Sequence, residues 1–181
     1  MAVTRCQLLV TATGEDRPGI VARITEVLVE HGANLEESRM ALLGGEFAAI
    51  MLVSVGEDKL ETLLPALSHL HSESITISAK RTNRLSPERF QGYASCELVV
   101  NGADHEGIVF KVARFLTEKA INIQSMESDV VNAPVTGTPL FCMRATVNVP
   151  PSVDLFELRK KLAAIGDEES VEIEVKEAAT A

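Results

Sequence analysis

Apolar and polar positions along the 181-residue chain alternate in two rhythms, and one succession of these rhythms occurs twice. Residues 6–13, CQLLVTAT, read as a strand. Ile20, Ile24, Val27 and Leu28 then recur at i, i+4, i+7 and i+8, the spacing of a helix with one buried face. Gly32 stops that helix, and a second strand begins near Asn34. Gly44-Gly45 leads into the apolar run FAAIMLVSV, which predicts a hairpin. Leu60, Leu63, Leu64, Leu67 and Leu70 give a second helix, and SITISAK closes the unit as a strand. From residue 95 the order returns. CELVVNG is followed by a helix carrying Ile108, Val112, Phe115 and Leu116, then by NIQSMESDV and FCMRATVNV. A helix with Leu155, Leu158, Leu162 and Ile165 and the strand VEIEVKE complete it.

The two copies align residue by residue. Asp16 and Asp104 stand 88 positions apart, and that offset holds without a gap to Asn34 and Asn122. Gly19/Gly107, Ile20/Ile108 and Val21/Val109 are identical along the way. The order βαββαβ, twice, predicts an α+β protein of two ferredoxin-like units. Each is an antiparallel four-stranded sheet with both helices packed on one face. Residues 1–81 form the first unit, 82–94 a polar linker with Pro87 and Gly92, 95–177 the second unit and 178–181 a tail. Phe47 matches Phe141 at an offset of 94, so the hairpin connection at 131–139 has gained residues. A ligand lid, a subunit contact and a plain surface loop are all open readings of that segment.

Charge and composition narrow the function. Lys and Arg number 17 against 26 Asp and Glu, a net charge of −9, and neither half is basic. Lys80, Arg81, Arg84 and Arg89 are the one local basic cluster, too sparse for a phosphate-contacting surface, so direct DNA binding is not expected. Three scattered cysteines without CxxC spacing read as small apolar residues in a reducing compartment, not as disulfides or metal ligands. No stretch reaches the ~18 apolar residues of a membrane helix, and a cytoplasmic location is expected. His69 and His71, two apart on a helix, point away from each other and make a poor chelate. No nucleophile, metal or nucleotide motif is present, so neither catalytic residues nor a cofactor are expected.

The duplicated helix opening carries more chemistry. Pro18 suits a first helical turn, and Gly19 removes a side chain where free N–H groups and the positive dipole end favour a carboxylate. Asp16 offers a partner for an ammonium group, and Asn34 an amide that donates and accepts. Together these complement a free amino acid. A purely structural reading stands beside it, with Asp16 capping the helix and Asn34 occupying the turn after Gly32.

At these residues the chain resembles the ACT domain, a regulatory amino-acid-binding module. The family pattern is present as Asp16-Arg17-Pro18-Gly19-Ile20 with Asn34-Leu35, and again, less fully, as Asp104, Gly107, Ile108, Asn122 and Ile123. Two units without an attached enzyme look most like the stand-alone tandem ACT proteins of the glycine cleavage system transcriptional repressor group. The resemblance implies a regulator that senses a small amino acid, glycine among the options, and acts through a partner protein. It assigns ligand contact to Asp16, Gly19, Ile20 and Asn34, and to Asp104, Gly107, Ile108 and Asn122. Asp104-His105-Glu106-Gly107 departs from the pattern by lacking the proline. Glu106 in the first turn is expected to compete with an anionic ligand, making the first copy the stronger site. Unsatisfied sheet edges lead to the expectation of a homodimer. A ligand-independent adaptor is the alternative reading.

Overall fold

The structure, a computed structural model, describes residues 4–71, 75–83, 87–134 and 136–177. Arg84 and the tail at 178–181 lie outside the described residues. The chain divides into two compact units, Met1–Leu85 and Ser86–Ala181.

In the first unit β1 (Arg5–Glu15), α1 (Ile20–Glu30), β2 (Asn34–Leu43), β3 (Glu46–Gly56), α2 (Leu60–His69) and β4 (Ile75–Thr82) follow one another. The sheet order is β2-β3-β1-β4, with antiparallel neighbours throughout. Alternation in β1 sends Leu8, Val10 and Ala12 to one face. There they join Ile20, Ile24 and Leu28 of α1, Leu60, Leu63 and Leu67 of α2, and Met51 and Val53 of β3 in one core. Each large side chain so buried contributes roughly 1.5–3 kcal/mol of transfer free energy. Leu70, which spacing assigns to the helix, lies one residue past α2 and still packs against this core.

The second unit repeats the architecture as β5 (Ala94–Ala103), α3 (Ile108–Glu118), β6 (Asn122–Asn132), β7 (Pro139–Val149), α4 (Leu155–Glu169) and β8 (Val171–Glu177). Its sheet order is β6-β7-β5-β8, again antiparallel, and its core is built from the corresponding stripes. Two differences bear on function. Helix α4 has 15 residues where α2 has 10. The β2–β3 connection is only Gly44-Gly45, because Leu43 pairs with Glu46, whereas β6 and β7 are joined by residues 133–138. That loop is shorter than the 131–139 expected because Val131 and Asn132 extend the ladder, pairing with Leu140 and Pro139.

Helices α1 and α3 end by the same device. Ala33 N–H donates to Leu28 O at 2.8 Å and Gly32 N–H to Val29 O at 2.9 Å, a Schellman closure with Gly32 at φ 64°. Ile121 N–H to Leu116 O at 2.9 Å and Ala120 N–H to Thr117 O at 3.0 Å reproduce it, but an alanine holds the left-handed position at φ 54°.

Candidate functional site

Between β1 and α1 the chain turns through residues 16–18 to Gly19, the N-cap, at φ 99° and ψ −8°. The second copy places Gly107 alike, at φ 98° and ψ −10°. A side chain disfavours that conformation. A Cβ on either glycine would meet nothing within 4 Å, so the backbone demands glycine and the space above it is open. Asp16 does not cap the helix: no side chain bonds the N-cap turn, and the Asp16 carboxylate is exposed. Its backbone N–H donates instead to Gly45 O at 3.1 Å, tying the loop to the hairpin turn, as Asp104 N–H does to Pro139 O at 3.1 Å. Pro18 stands ahead of the N-cap rather than inside the first helical turn.

Strand register separates the remaining expected residues from this opening. Glu15 faces Glu46 at the end of β1 that feeds α1, whereas Asn34 faces Ser54, which also faces Gln7 near the start of β1. The 11 residues of α1 lie between, about 16 Å of helix. Asn122 opposite Asn148 repeats the arrangement. Each unit therefore groups Asp16, Gly19 and Ile20, or Asp104, Gly107 and Ile108, at one end, and holds Asn34 or Asn122 at the other. Ile20 and Ile108 are buried and anchor the first turn of each helix in the core.

The two openings differ in what occupies them. Beside α1 lies a cavity of about 260 Å³, with Arg17, Gly19 and Arg23 on one side and Leu70, Ile75 and Ile77 on the other. In the second unit the positions of Arg17 and Arg23 are His105 and Lys111. The longer α4 brings Glu169, only 7% exposed, against the Lys111 ammonium in an ion pair. His105 Nε2 donates to the backbone oxygen of Glu169 at 2.6 Å, and Nδ1 to that of Glu106 at 3.0 Å. Both partners are carbonyl oxygens, which only accept, so the two contacts together favour the protonated ring. These bonds, Glu169 foremost and then Glu106, raise the His105 pKa above its ordinary value. Glu106 itself is exposed and precedes α3, whose first turn carries no acid. The carboxylate that meets Lys111 comes from 58 residues downstream, not from the loop.

Reasoning from the sequence missed Arg23, Lys111 and Glu169. A signal was available for the first two, since cations recur at 17/105 and 23/111 at the same offset of 88. Glu169 recurs as well, since Glu-Ser precedes the last strand in both copies as Glu73-Ser74 and Glu169-Ser170, but its pairing with Lys111 is not legible from that. A second cavity, of about 500 Å³, lies at the Asn34 end of the first sheet, lined by Arg5, Gln7, Glu36, Ser54, Glu57 and Arg81. Within it Arg5 donates to Ser54 O at 2.9 Å and Arg81 pairs with Glu57 at 2.6 Å. Among the described residues no group of His, Cys, Asp and Glu is placed to hold a metal ion.

The ACT domain profile matches residues 6–80, the span from the first residues of β1 to the last of β4. Residues 6–80 are an ACT domain. The second unit repeats its topology strand for strand, so the chain is a tandem of ACT-type units. Over 161 residues the chain is 29% identical to the glycine cleavage system transcriptional repressor of Escherichia coli K12, covering 87% of this chain and 83% of that one. The crystal structure of a candidate glycine cleavage system transcriptional repressor superposes with a TM-score of 0.63 at 27% identity, covering 95% of this chain and 96% of the other. An unknown protein from Galdieria sulphuraria is more similar still, with a TM-score of 0.81 and 34% identity over 97% of this chain and all of that one. Phosphoserine phosphatase SerB2 of Mycobacterium tuberculosis is 27% identical over 176 residues, which make up 41% of that enzyme. No helix among the described residues is long and apolar enough to cross a membrane.

Proposed function

We propose that this tandem ACT protein is a non-enzymatic, cytoplasmic regulator that binds a small amino acid and controls a partner protein in amino-acid metabolism, at the level of transcription. One observation carries the reading. Similarity to the repressor runs through 161 residues, more than either unit contains, so the tandem arrangement itself is shared. The open opening at Gly19 supplies a place for the ligand, and glycine is the first amino acid to try because of the name its relative bears. Asn34 reaches a ligand at that opening when a partner copy of the chain supplies it, which makes a homodimer part of the proposal. Control passes through a protein and not through direct DNA contact. Of the basic cluster, Arg81 is already paired with Glu57, and the chain carries a charge of −9.

The test is a thermal-shift panel of the common amino acids on the full chain. An amino acid present at 100 times its Kd stabilises by roughly 2.7 kcal/mol, an easily read rise in Tm. If none shifts the transition at millimolar levels, the sensing role is lost.

A ligand-independent adaptor is favoured by a different observation. Leu42 and Leu43 on edge strand β2 are exposed, as are Val130 and Val131 on edge strand β6. Such edges offer strand pairing to another chain. A partner captured with equal strength with and without every amino acid tested would support this adaptor over the sensor.

A further inference from the structure

In each unit both helices pack on one face of the sheet, and no element of the same unit covers the other face. Alternation in β1 fixes what lies on the uncovered face of the first sheet, since Leu8, Val10 and Ala12 point to the helices. Leu9 and Thr11 point away, and strand register sets their neighbours in rows across the sheet. From β2 to β4 one row runs Glu37, Leu52, Leu9, Lys80, and the next Arg39, Ile50, Thr11, Ser78. The row beyond holds only alanine and threonine, as Ala41, Ala48, Thr13 and Thr76. Leu9, Thr11 and Leu52 are half-buried, and Ile50 is 44% exposed. The centre of this face is therefore apolar and low, with its charges on the two edge strands.

A two-fold axis parallel to the strands would lay a second copy of this face on the first, each row over itself and reversed from edge to edge. Leu52 then meets Leu9 of the second copy, and Glu37 meets Lys80, each contact occurring twice. Sheets that pack face to face lie about 10 Å apart with strands within about 30° of each other, a gap that glutamate and lysine side chains bridge. Among the described residues no carboxylate pairs with Lys80, whereas Glu37 and Arg39 pair with one another at 3.0 Å on the same strand. In the second sheet the same operation is opposed. Its row Glu127, Arg144, Val99, Glu174 would set Glu127 against Glu174, and its row Asp129, Cys142, Asn101, Glu172 would set Asp129 against Glu172. Like charges brought together cost affinity. We infer that the uncovered face of the first sheet is a docking surface for a second copy of this chain, packed face to face and fastened at both edges by Glu37 and Lys80. A self-complementary face present once per chain closes as a pair and does not propagate. This contact goes beyond the sensing role and is separate from it, because an axis along the strands keeps Asn34 at the end of the sheet away from both Gly19 openings.

The experiment is sedimentation equilibrium of the full chain, with thermal denaturation of each variant alongside. The wild-type mass should rise with concentration to a plateau. Ile50→Glu should halve that plateau, because it places two carboxylates in the apolar centre of the contact. Lys80→Glu should weaken association at least about tenfold, since two attractive contacts become repulsive ones. Glu37→Lys added to Lys80→Glu should return the association constant to within about twofold of wild type, as coupled partners do. A chain that stays monomeric up to millimolar concentration overturns the inference, and so does an unchanged mass in Ile50→Glu. A double variant that associates no better than Lys80→Glu overturns it as well. A fall in Tm at every concentration without a change of mass would give this face to the second unit of the same chain and overturn it too. If Ile50→Glu does not fold, Lys80→Glu and the double variant decide, both positions being exposed.

Discussion

The helix openings of α1 and α3 share a backbone to within two degrees of φ and ψ at Gly19 and Gly107, yet the cations beside them differ in their partners. What differs is the company of the cations at 17/105 and 23/111. In the second unit α4 is long enough for Glu169 to reach Lys111 and for its carbonyl to accept from His105. In the first, Arg17 and Arg23 face a cavity instead. Duplication preserved the feature that local geometry demands, the left-handed glycine. It did not preserve the length of the second helix, 10 residues in α2 and 15 in α4, which a distant part of each unit sets.

The largest test of this contrast is a matched pair of substitutions. Lys111→Met leaves a carboxylate that is 7% exposed without its cation, and should cost the second unit about 2–3 kcal/mol. Arg23→Met removes a cation with no partner and should stay within about 0.5 kcal/mol. Denaturation of the full chain, with amide exchange assigned to each unit, measures both. Equal costs would mean the first opening is as tightly bound up as the second.

A smaller effect concerns the ends of the same helices. Gly32 and Ala120 hold the same left-handed position, and alanine there is strained. Ala120→Gly should stabilise the second unit by about 1 kcal/mol, and Gly32→Ala should destabilise the first by a similar amount. A stability change of the opposite sign at either position would show that contacts of the methyl group outweigh backbone strain.

The smallest expected effect is a pH dependence confined to the second opening. His105 has its pKa raised in the folded state by donating to Glu169 and Glu106. Its contribution is therefore fully present below the ordinary histidine value and fades as pH rises through the raised folded one. Chemical denaturation between about pH 6 and 8 should show the second unit losing stability across that window. In His105→Gln this component should vanish. A first unit that loses stability in parallel would place the effect elsewhere.

Much of this was written in the chain's rhythms. The stripes Ile20–Ile24–Leu28 and Ile108–Val112–Leu116 and the alternation of Leu8, Val10 and Ala12 specify helices and strands with one buried face each. Burial of an apolar face is governed by near neighbours at periods of 3.6 and 2, and so it can be read along a line. The order of these elements then leaves few ways to cover both stripes, and the split-βαβ arrangement follows. Glycine at 19 and 107 was equally legible, because a positive φ is a local requirement.

Tertiary structure alone decided the rest. Asn34 follows α1 closely in sequence, yet a helix that crosses back over the sheet returns the chain to the end where β1 began, about 16 Å from Gly19. Glu106 adjoins Gly107 in the chain and stays in solvent, while Glu169 arrives from another helix and buries its carboxylate against Lys111. Sequence determined which backbone each segment adopts, since that depends on residues three or four positions apart. Which charge meets which depends on helix length and strand register summed over a whole unit, and only the folded chain carries out that sum.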